Sequence, residues 1–259
     1  CRNNKFISNK FIIEKKFENI DLLNFNQLVK NLKYYRPDFV INCAGVIKQK
    51  FNGYENNDIF LINSCLPNFL SYLSIKFSFK LIHISTDCVF DGKKGNYNET
   101  NIPNATDDYG FSKYLGEVDA KNCITLRTSI IGHELLQKNG LLEWFLNQKK
   151  IHGFKNAYFS GLTTLELSKV ISSLLKVNFK SGIYNVASKK INKYDLLMLI
   201  NRIYDKNIKI LPSTKLKIDR SLNGKKFEKN YKIKISGWKK MIKEMKINYY
   251  LNKRLYENI

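Results

Sequence analysis

The sequence has little of what usually divides or anchors a chain: only 4 prolines and 13 glycines occur among 259 residues. With so few turn-forming residues, no clean linker between two halves can be recognised. No apolar run approaches the roughly 18 residues that a membrane-spanning helix needs. The first residues also lack the apolar stretch and the small-residue cleavage site of a signal peptide. We therefore expect closely packed halves and no membrane insertion.

Acidic residues are scarce as well: the chain has 22 Asp and Glu but 44 Lys and Arg, which gives a formal net charge of +22. Such an excess invites a nucleic-acid interpretation. One segment, 225–246, is sharply basic, with nine lysines against Glu228 and Glu244. Lys and Asn are, however, abundant along the whole chain, as compositional bias produces. We expect no specific nucleic-acid partner, and a basic surface that attracts a polyanionic nucleotide ligand.

Cysteines and histidines show no spacing typical of a metal site or a disulfide framework. The five cysteines are odd in number and scattered, and the three histidines are isolated. No CxxC pair and no zinc-ligand spacing occurs. The sequence therefore predicts no metal and reduced thiols, which fit a cytoplasmic protein best. These residues are Cys1, Cys43, Cys65, Cys88, Cys123, His83, His133 and His152.

Strand-like and helix-like patterns alternate along the first half. Short apolar runs at 38–43, 80–85 and 122–127 indicate buried strands, and helical spacing occurs at 25–35, 59–78 and 109–121. Pro67 predicts a kink or break in the second of these helices. Strands separated by helices imply an α/β fold with a parallel sheet. The second half predicts helices over 164–177, 193–204 and from Trp238, with short strands at 182–186 and 208–211.

The sharpest local motif is Tyr109-Gly-Phe-Ser-Lys113. Residues four apart share one helix face, and an ammonium beside a phenol lowers the pKa of the phenol. Such a tyrosine can work as a general acid or base near neutral pH. Taken alone, the spacing is more typical of a solvated helix face. Ser85-Thr86-Asp87 follows a predicted strand directly, at the edge where open α/β sheets bind ligands, although a turn or a helix cap has the same composition.

Together these residues resemble a known family. The run Ser85-Thr-Asp-Cys-Val-Phe-Asp-Gly92, then Tyr97-x-Glu99, Pro103, the Tyr109–Lys113 motif and Gly116-Glu117 are similar to extended short-chain dehydrogenases/reductases. Within that group they resemble most the dTDP-4-dehydrorhamnose reductase branch, the sugar-nucleotide reductases of the RmlD type. Supporting matches are Arg36-Pro-Asp-Phe-Val-Ile-Asn-Cys-Ala44, Asn63 and Leu126-Arg-Thr-Ser129.

The resemblance implies a Rossmann-like parallel sheet with helices on both faces. Residues 1–150 would form the NAD(P)-binding domain, and 151–259 mostly a smaller substrate-binding subdomain interleaved with it. The implied activity is the reduction, with NADPH or NADH, of a nucleotide-linked 4-keto-6-deoxy sugar for deoxy-sugar and surface-polysaccharide synthesis. A nucleotide sugar would be the partner, and a homodimer is a further expectation. Two alternatives stay open: an epimerase or dehydratase, and a non-catalytic regulatory subunit of the same fold.

The resemblance also implies residue roles. Tyr109 would donate the proton, Lys113 would lower the pKa of Tyr109 and hold the nicotinamide ribose, and Thr86 would complete the catalytic trio. Cofactor contacts would come from Tyr109 and Lys113, and further from Asp21, Asn42, Cys43, Ala44, Ser85 and Thr128. Substrate contacts would come from Thr86, Asp87, Lys155 and Arg220. His133 is a further candidate for the border of the pocket.

The front of the chain departs from the family pattern. The first glycine is Gly45, so residues 1–44 contain no glycine-rich turn, which in such folds lets the backbone approach the pyrophosphate. Because the catalytic trio is intact, we expect that an opening strand–helix unit of roughly 30 residues precedes this chain in the native protein. A genuine loss is the alternative, and it favours the regulatory subunit. The loop 45–50 also differs from the family, which leaves the sugar and the base open.

Overall fold

The computed structural model describes residues 20–47, 56–135, 140–177 and 180–257. The strands are β1 (Phe39–Asn42), β2 (Lys80–Thr86), β3 (Cys123–Thr128), β4 (Ile130–Ile131), β5 (Lys150–Phe154), β6 (Ala157–Phe159), β7 (Leu162–Thr163), β8 (Gly182–Asn185), β9 (Ile191–Asn192), β10 (Lys209–Ser213) and β11 (Ile218–Asp219). The helices are α1 (Phe25–Tyr35), α2 (Asn56–Phe60), α3 (Leu66–Lys76), α4 (Asp108–Leu115), α5 (Leu141–Leu146), α6 (Thr164–Leu174), α7 (Lys193–Tyr204), α8 (Lys225–Tyr231), α9 (Trp238–Leu251) and α10 (Lys253–Glu257). A π-helical segment (Leu61–Cys65) joins α2 to α3, and a 3₁₀ turn (Asp87–Val89) follows β2.

The central sheet is parallel and has the strand order β1-β2-β3-β8. Side chains of β2 alternate between two hydrophobic clusters: Ile82 and Ile84 join the cluster that contains α6, α7 and α9, whereas Leu81 joins the one that contains α1 and α3. Helices therefore cover both faces, which is why these strands carry apolar side chains on both faces. This confirms the predicted α/β class with a Rossmann-like parallel sheet.

Packing changes two of the predicted helices. The helix expected over 109–121 ends at Leu115, and at Gly116, the next residue, a side chain would lie 2.0 Å from the carbonyl oxygen of Asn63. That close backbone approach presses the end of α4 onto the π-helical segment. The helix expected over 59–78 is interrupted by this segment, and Pro67 lies in the first turn of α3, where its missing N–H costs nothing. Helices 25–35 and 193–204 have the predicted bounds.

The second half builds three smaller sheets, with orders β11-β6-β9, β10-β5 and β4-β7. The first of them packs on the loop that follows β2. Asp219 N donates to Gly92 O at 2.6 Å, and Asn96 N donates to Ser221 Oγ at 2.9 Å. Residues close to the C-terminus are thereby brought against the segment that directly follows Thr86.

None of the helices in the described ranges is both long and apolar enough to cross a membrane. Within the same ranges, no group of three or more His, Cys, Asp or Glu side chains is placed to hold a metal ion. Among the described residues, Cys43, Cys65, Cys88 and Cys123 form no disulfide bond. The predicted loop 45–50 is described only as far as residue 47.

Candidate active site

Polar side chains gather where the central strands end. Asn42, Ser85, Thr86 and Thr128 are all at most 7% exposed, and each lies at or near the carboxyl end of β1, β2 or β3. Parallel strands end at one edge of a sheet, so three stretches distant in sequence meet here. The structure thus brings the strand-end residues predicted from the sequence to a single edge.

Helix α4 adds Tyr109 and Lys113 to this edge. The carboxylate of Asp107 caps the helix by accepting a hydrogen bond from Gly110 N at 3.0 Å. Tyr109 hydrogen-bonds with the hydroxyl group of Thr86, whose Oγ1 also accepts a hydrogen bond from Cys88 N at 3.1 Å. The predicted catalytic trio is therefore assembled in one place by β2 and α4.

Burial raises the pKa of Tyr109 well above its ordinary value. The nearby Cys88, Asp87 and Asp107 raise this pKa further, and only the hydrogen bond with Thr86 lowers it. This direction is opposite to the lowering by Lys113 that the family resemblance implied. The physical reason is that desolvation of the phenolate exceeds the stabilisation it receives. The phenol is consequently protonated at neutral pH.

Lys113 is 4% exposed, and its Nζ donates to Ile84 O at 2.9 Å. Burial lowers the pKa of Lys113 to about 8, while the charge of Glu117 opposes this shift. The ammonium group is thus held inside the protein near the end of β2, two residues before Thr86 in that strand. At pH 7 it is mostly charged.

Glu117 is a site residue whose function the sequence did not reveal. Its carboxylate accepts two hydrogen bonds from Arg127, at 2.7 and 2.6 Å, and one from Ser85 Oγ at 2.8 Å. The side chains of Arg127 and Glu117 are only 3% and 2% exposed. The pair therefore joins the ends of β2 and β3 to the residues after α4. The pair Gly116-Glu117 following Lys113 was the available signal, but nothing in the spacing indicated Arg127 as partner.

Asn63, in the π-helical segment, links the loop after β1 to α4. Its amide exchanges hydrogen bonds with Val46, at 2.8 and 3.0 Å, and donates to Ser112 Oγ at 3.0 Å. A Cβ atom at Gly45 would lie 3.3 Å from Asn63 Oδ1 and 3.8 Å from Lys113 Nζ. The glycine therefore keeps a narrow space open beside the lysine. Local π-helical geometry is often found at functional sites.

The remaining predicted cofactor contacts differ in their surroundings. Asn42 Oδ1 accepts a hydrogen bond from Ala44 N, and its amide nitrogen lies 3.2 Å from Nδ1 of the buried His83. Burial holds the pKa of His83 well below its usual range, so this histidine is a neutral core residue. Cys43 is exposed. Asp21 lies in an exposed turn ahead of α1, where its carboxylate accepts from Leu23 N at 3.0 Å.

Two of the predicted substrate residues, Asp87 and Arg220, lie near the Thr86–Tyr109 pair. Asp87 is 4% exposed and hydrogen-bonds with Cys88 and Ser129. Burial raises the pKa of Asp87, and the charges of Lys193 and Arg220 oppose that rise. Arg220 Nε donates to Phe90 O at 2.9 Å, and Nη1 lies 3.5 Å from Cys88 Sγ. No sequence motif includes Lys193, so the sequence did not identify it as a candidate site residue.

Lys155 and His133 have surroundings that differ from those of Asp87 and Arg220. Lys155 is exposed, with Nζ 5.3 Å from the ring centroid of Tyr194. The His133 ring lies between Glu143 Oε1, at 2.7 Å, and the hydroxyl group of Tyr204, at 2.8 Å. It also stacks on Tyr249 of α9, with centroids 3.9 Å apart. We expected His133 at the border of the pocket, but it lies in an aromatic cluster, because Tyr249 of α9 covers its ring.

A family model and the curated relatives of this chain indicate the same family. The family model described as the RmlD substrate binding domain matches residues 7–250. Among curated proteins, the dTDP-4-dehydrorhamnose reductase of Aggregatibacter actinomycetemcomitans is 30% identical over 118 residues, 44% of this chain and 40% of that protein. Methionine adenosyltransferase 2 subunit beta of Bos taurus is 29% identical over 102 residues, 39% of this chain and 30% of that protein. These matched segments span less than half of either relative.

A solved structure shows the same fold over most of the chain. The dTDP-4-dehydrorhamnose reductase of Bacillus anthracis, crystallised in complex with NADP, superposes with a TM-score of 0.79 at 21% identity. The match covers 92% of this chain and 89% of that one. At this level of identity the likeness establishes the architecture only.

Proposed function

Because the chain belongs to the RmlD substrate binding domain family, we propose that it is an NAD(P)H-dependent reductase of a nucleotide-linked 4-keto-6-deoxy sugar. The product would be an activated deoxy sugar for polysaccharide synthesis. One observation carries the proposal: Tyr109, hydrogen-bonded to Thr86, stands with buried Lys113 at the carboxyl edge of a parallel sheet. That edge is where such folds bind their ligands.

The strand ends beside Gly45 are where a nicotinamide cofactor would lie. A side chain at this position would crowd Asn63 and approach the ammonium group of Lys113, so the glycine lets the loop after β1 pass close to a buried cation. Lys113 would hold the nicotinamide ribose, and the strand-end residues would line the ring. NADPH or NADH supplies the hydride when bound. The cofactor-contact residues are Asn42, Cys43, Ala44, Ser85, Thr128, Tyr109 and Lys113, with Asp21 toward the adenine.

Tyr109 would supply the proton. Its phenol is protonated at neutral pH because burial raises its pKa, so it can donate to the carbonyl oxygen as negative charge develops there. The Thr86 hydroxyl group, already hydrogen-bonded to Tyr109, would bond the same oxygen. A charged Lys113 nearby would favour the tyrosinate that forms on proton transfer.

The sugar and its diphosphate would meet Asp87, Arg220 and Lys155. A carboxylate such as Asp87 can accept hydrogen bonds from sugar hydroxyl groups, and a guanidinium such as Arg220 pairs well with phosphate oxygens. Arg220 is held in place by Phe90 O, which leaves other N–H groups of its guanidinium for a ligand.

The direct test is NADPH oxidation in the presence of a dTDP-4-keto-6-deoxy-L-sugar. Tyr109→Phe removes the proton donor, and we expect kcat to fall by about 10²–10⁴-fold, the usual contribution of a general acid. Tyr72→Phe makes the same chemical change at a side chain that is 58% exposed and should leave kcat unchanged. Equal turnover by wild type and Tyr109→Phe would refute the assignment.

A second candidate is a non-catalytic subunit that regulates another enzyme. It is supported by the 29% identity with a protein named as a beta subunit of methionine adenosyltransferase 2. A folded protein that neither turns over the keto sugar nor binds NADPH would favour this candidate. Turnover that depends on Tyr109 would exclude it as the main function.

A further inference from the structure

Helices α7 and α9 of the second half form an apolar groove with a basic rim on the surface of the molecule. In the described part of the chain, its lining side chains are five apolar residues and four cations. We propose that this groove docks a short amphipathic helix of another protein, with an apolar face flanked by Asp and Glu. The lining side chains are separate from those of the candidate active site, so the inference goes beyond the proposed function.

The groove follows the solvent-facing seam between the two helices, which pack on each other. Their inner faces are buried in the main hydrophobic cluster, where Ile200 of α7 lies with Met241 and Met245 of α9. Lys246 of α9 joins the helices at the seam, because its Nζ donates to Ile203 O of α7 at 2.7 Å. Core packing and this hydrogen bond therefore hold both walls of the groove in place.

The apolar side chains of the groove are exposed to solvent although a large core lies beneath them. Ile247 and Tyr250 are each 57% exposed, and Leu251 is 79% exposed. Leu199 and Ile203 are half-buried and pack on the core cluster. These five side chains line one groove, whereas apolar residues on most protein surfaces are scattered singly. A contiguous apolar surface with a polar rim is typical of a site that binds another molecule.

Among the described residues, the charged side chains that line the groove are all cations. Arg202 lies on α7, and Lys239, Lys243 and Lys246 lie on α9. Within the described ranges, none of the four has an ion-pair contact within 4.0 Å. Their charges can therefore pair with acidic groups of a partner, which both speeds its approach and fixes its orientation.

Charge and shape together select the occupant. If the groove met the same groove of a second copy, the cations of both copies would face one another, which like-charge repulsion opposes. A bilayer takes up an apolar face that protrudes, whereas part of this apolar surface, at Leu199 and Ile203, is half-buried between two helices. An amphipathic helix can place its apolar row in such a groove and its flanking carboxylates against the rim. The side of α9 from Lys239 to Tyr250 is roughly 16 Å long, which about three turns of a partner helix match.

The test is fluorescence anisotropy with a labelled synthetic peptide of about 16 residues, which is long enough to form a helix. The peptide repeats Leu at helical spacing and carries Glu at most other positions. Two comparison peptides have Lys in place of every Glu, or Ser in place of every Leu.

Each variant of the groove has a matched control. Ile247→Ser is compared with Ile75→Ser, because Ile75 is an isoleucine of α3 that is also 57% exposed. Lys243→Glu is compared with Lys229→Glu, which changes the net charge equally at an exposed lysine of α8. Tyr250→Ser repeats the measurement at a second exposed side chain of the groove. Unchanged thermal midpoints confirm that the variants are folded.

Wild type should bind the Leu–Glu peptide at least about tenfold more tightly than either comparison peptide. Ile247→Ser should weaken this binding by about fivefold or more through the lost apolar contact, and Lys243→Glu by about threefold or more. Both control variants should stay within about twofold of wild type. No binding of the Leu–Glu peptide by wild type, or equal losses from Ile247→Ser and Ile75→Ser, would overturn the inference.

The two other occupants have readouts of their own, and either result would also overturn the inference. A lipid surface is indicated if wild type sediments with phosphatidylglycerol vesicles, binds no peptide, and loses the vesicles on Ile247→Ser. A second copy is indicated if sedimentation velocity shows a dimer of wild type that Ile247→Ser dissociates. These measurements need neither NADPH nor a keto sugar, so they succeed or fail independently of the reductase assay.

Discussion

Replacing Glu117 by Gln is the sharpest test of how the site is held together. Glu117 accepts three hydrogen bonds, two from Arg127 at 2.7 and 2.6 Å and one from Ser85 at 2.8 Å. Gln has a similar shape but offers one acceptor oxygen and no charge. The variant therefore leaves the guanidinium of Arg127, whose side chain is 3% exposed, without its counter-ion.

The magnitude follows from burial. Breaking a buried ion pair by removing one partner typically costs about 3–5 kcal/mol, because the remaining charge stays out of water. In a domain of this size, each kcal/mol shifts the thermal midpoint by about 2–4 °C. Glu117→Gln should therefore lower the midpoint by roughly 6 °C or more, with a matching shift in urea denaturation.

A surface-type pair provides the control. Glu244 pairs with Lys169 at 2.5 Å, but these side chains are 30% and 28% exposed. Glu244→Gln should cost less than about 1 kcal/mol, since partly exposed pairs contribute little. Replacing both members of the buried pair, as Glu117→Gln with Arg127→Met, should recover part of the loss. A Glu117→Gln effect no larger than that of Glu244→Gln would refute the reasoning.

Two further predictions concern neighbouring groups. The pKa of Lys113 is about 8 in the folded protein, below its unfolded value of about 10.4, so the unfolded state binds more protons between these limits. The stability of wild type relative to Lys113→Met should therefore rise between pH 8 and pH 10, by at most about 1.4 kcal/mol per unit, and flat behaviour in urea titrations would contradict the burial of this lysine. Asn63→Ala removes the three hydrogen bonds to Val46 and Ser112 and should lower the free energy of unfolding by roughly 2 kcal/mol. It should also raise the Kd for NADPH, which fluorescence titration of the cofactor measures. An unchanged Kd would show that Asn63 does not position the loop after β1.

The hydrophobic pattern of neighbouring residues was enough to predict the central strands and several helices. The runs that became β1, β2 and β3 are short and rich in apolar residues, as is typical of strands covered on both faces. Helix α7 begins and ends where its amphipathic spacing does. The tyrosine–lysine spacing and the Ser-Thr-Asp segment were readable because helix periodicity and strand ends are properties of neighbouring residues.

What only the tertiary structure decided depends on residues far apart in the chain. Gly116, directly after α4, packs against the backbone of Asn63, a contact that no local propensity encodes. The raised pKa of Tyr109 reflects burial by surrounding elements and outweighs any local pairing with Lys113. Lys193 acts on Asp87 because a small sheet built by the second half packs against the loop after β2. Spacing along the chain determined the strands, the helices and the local motifs, and packing determined which charges and hydroxyl groups share one pocket.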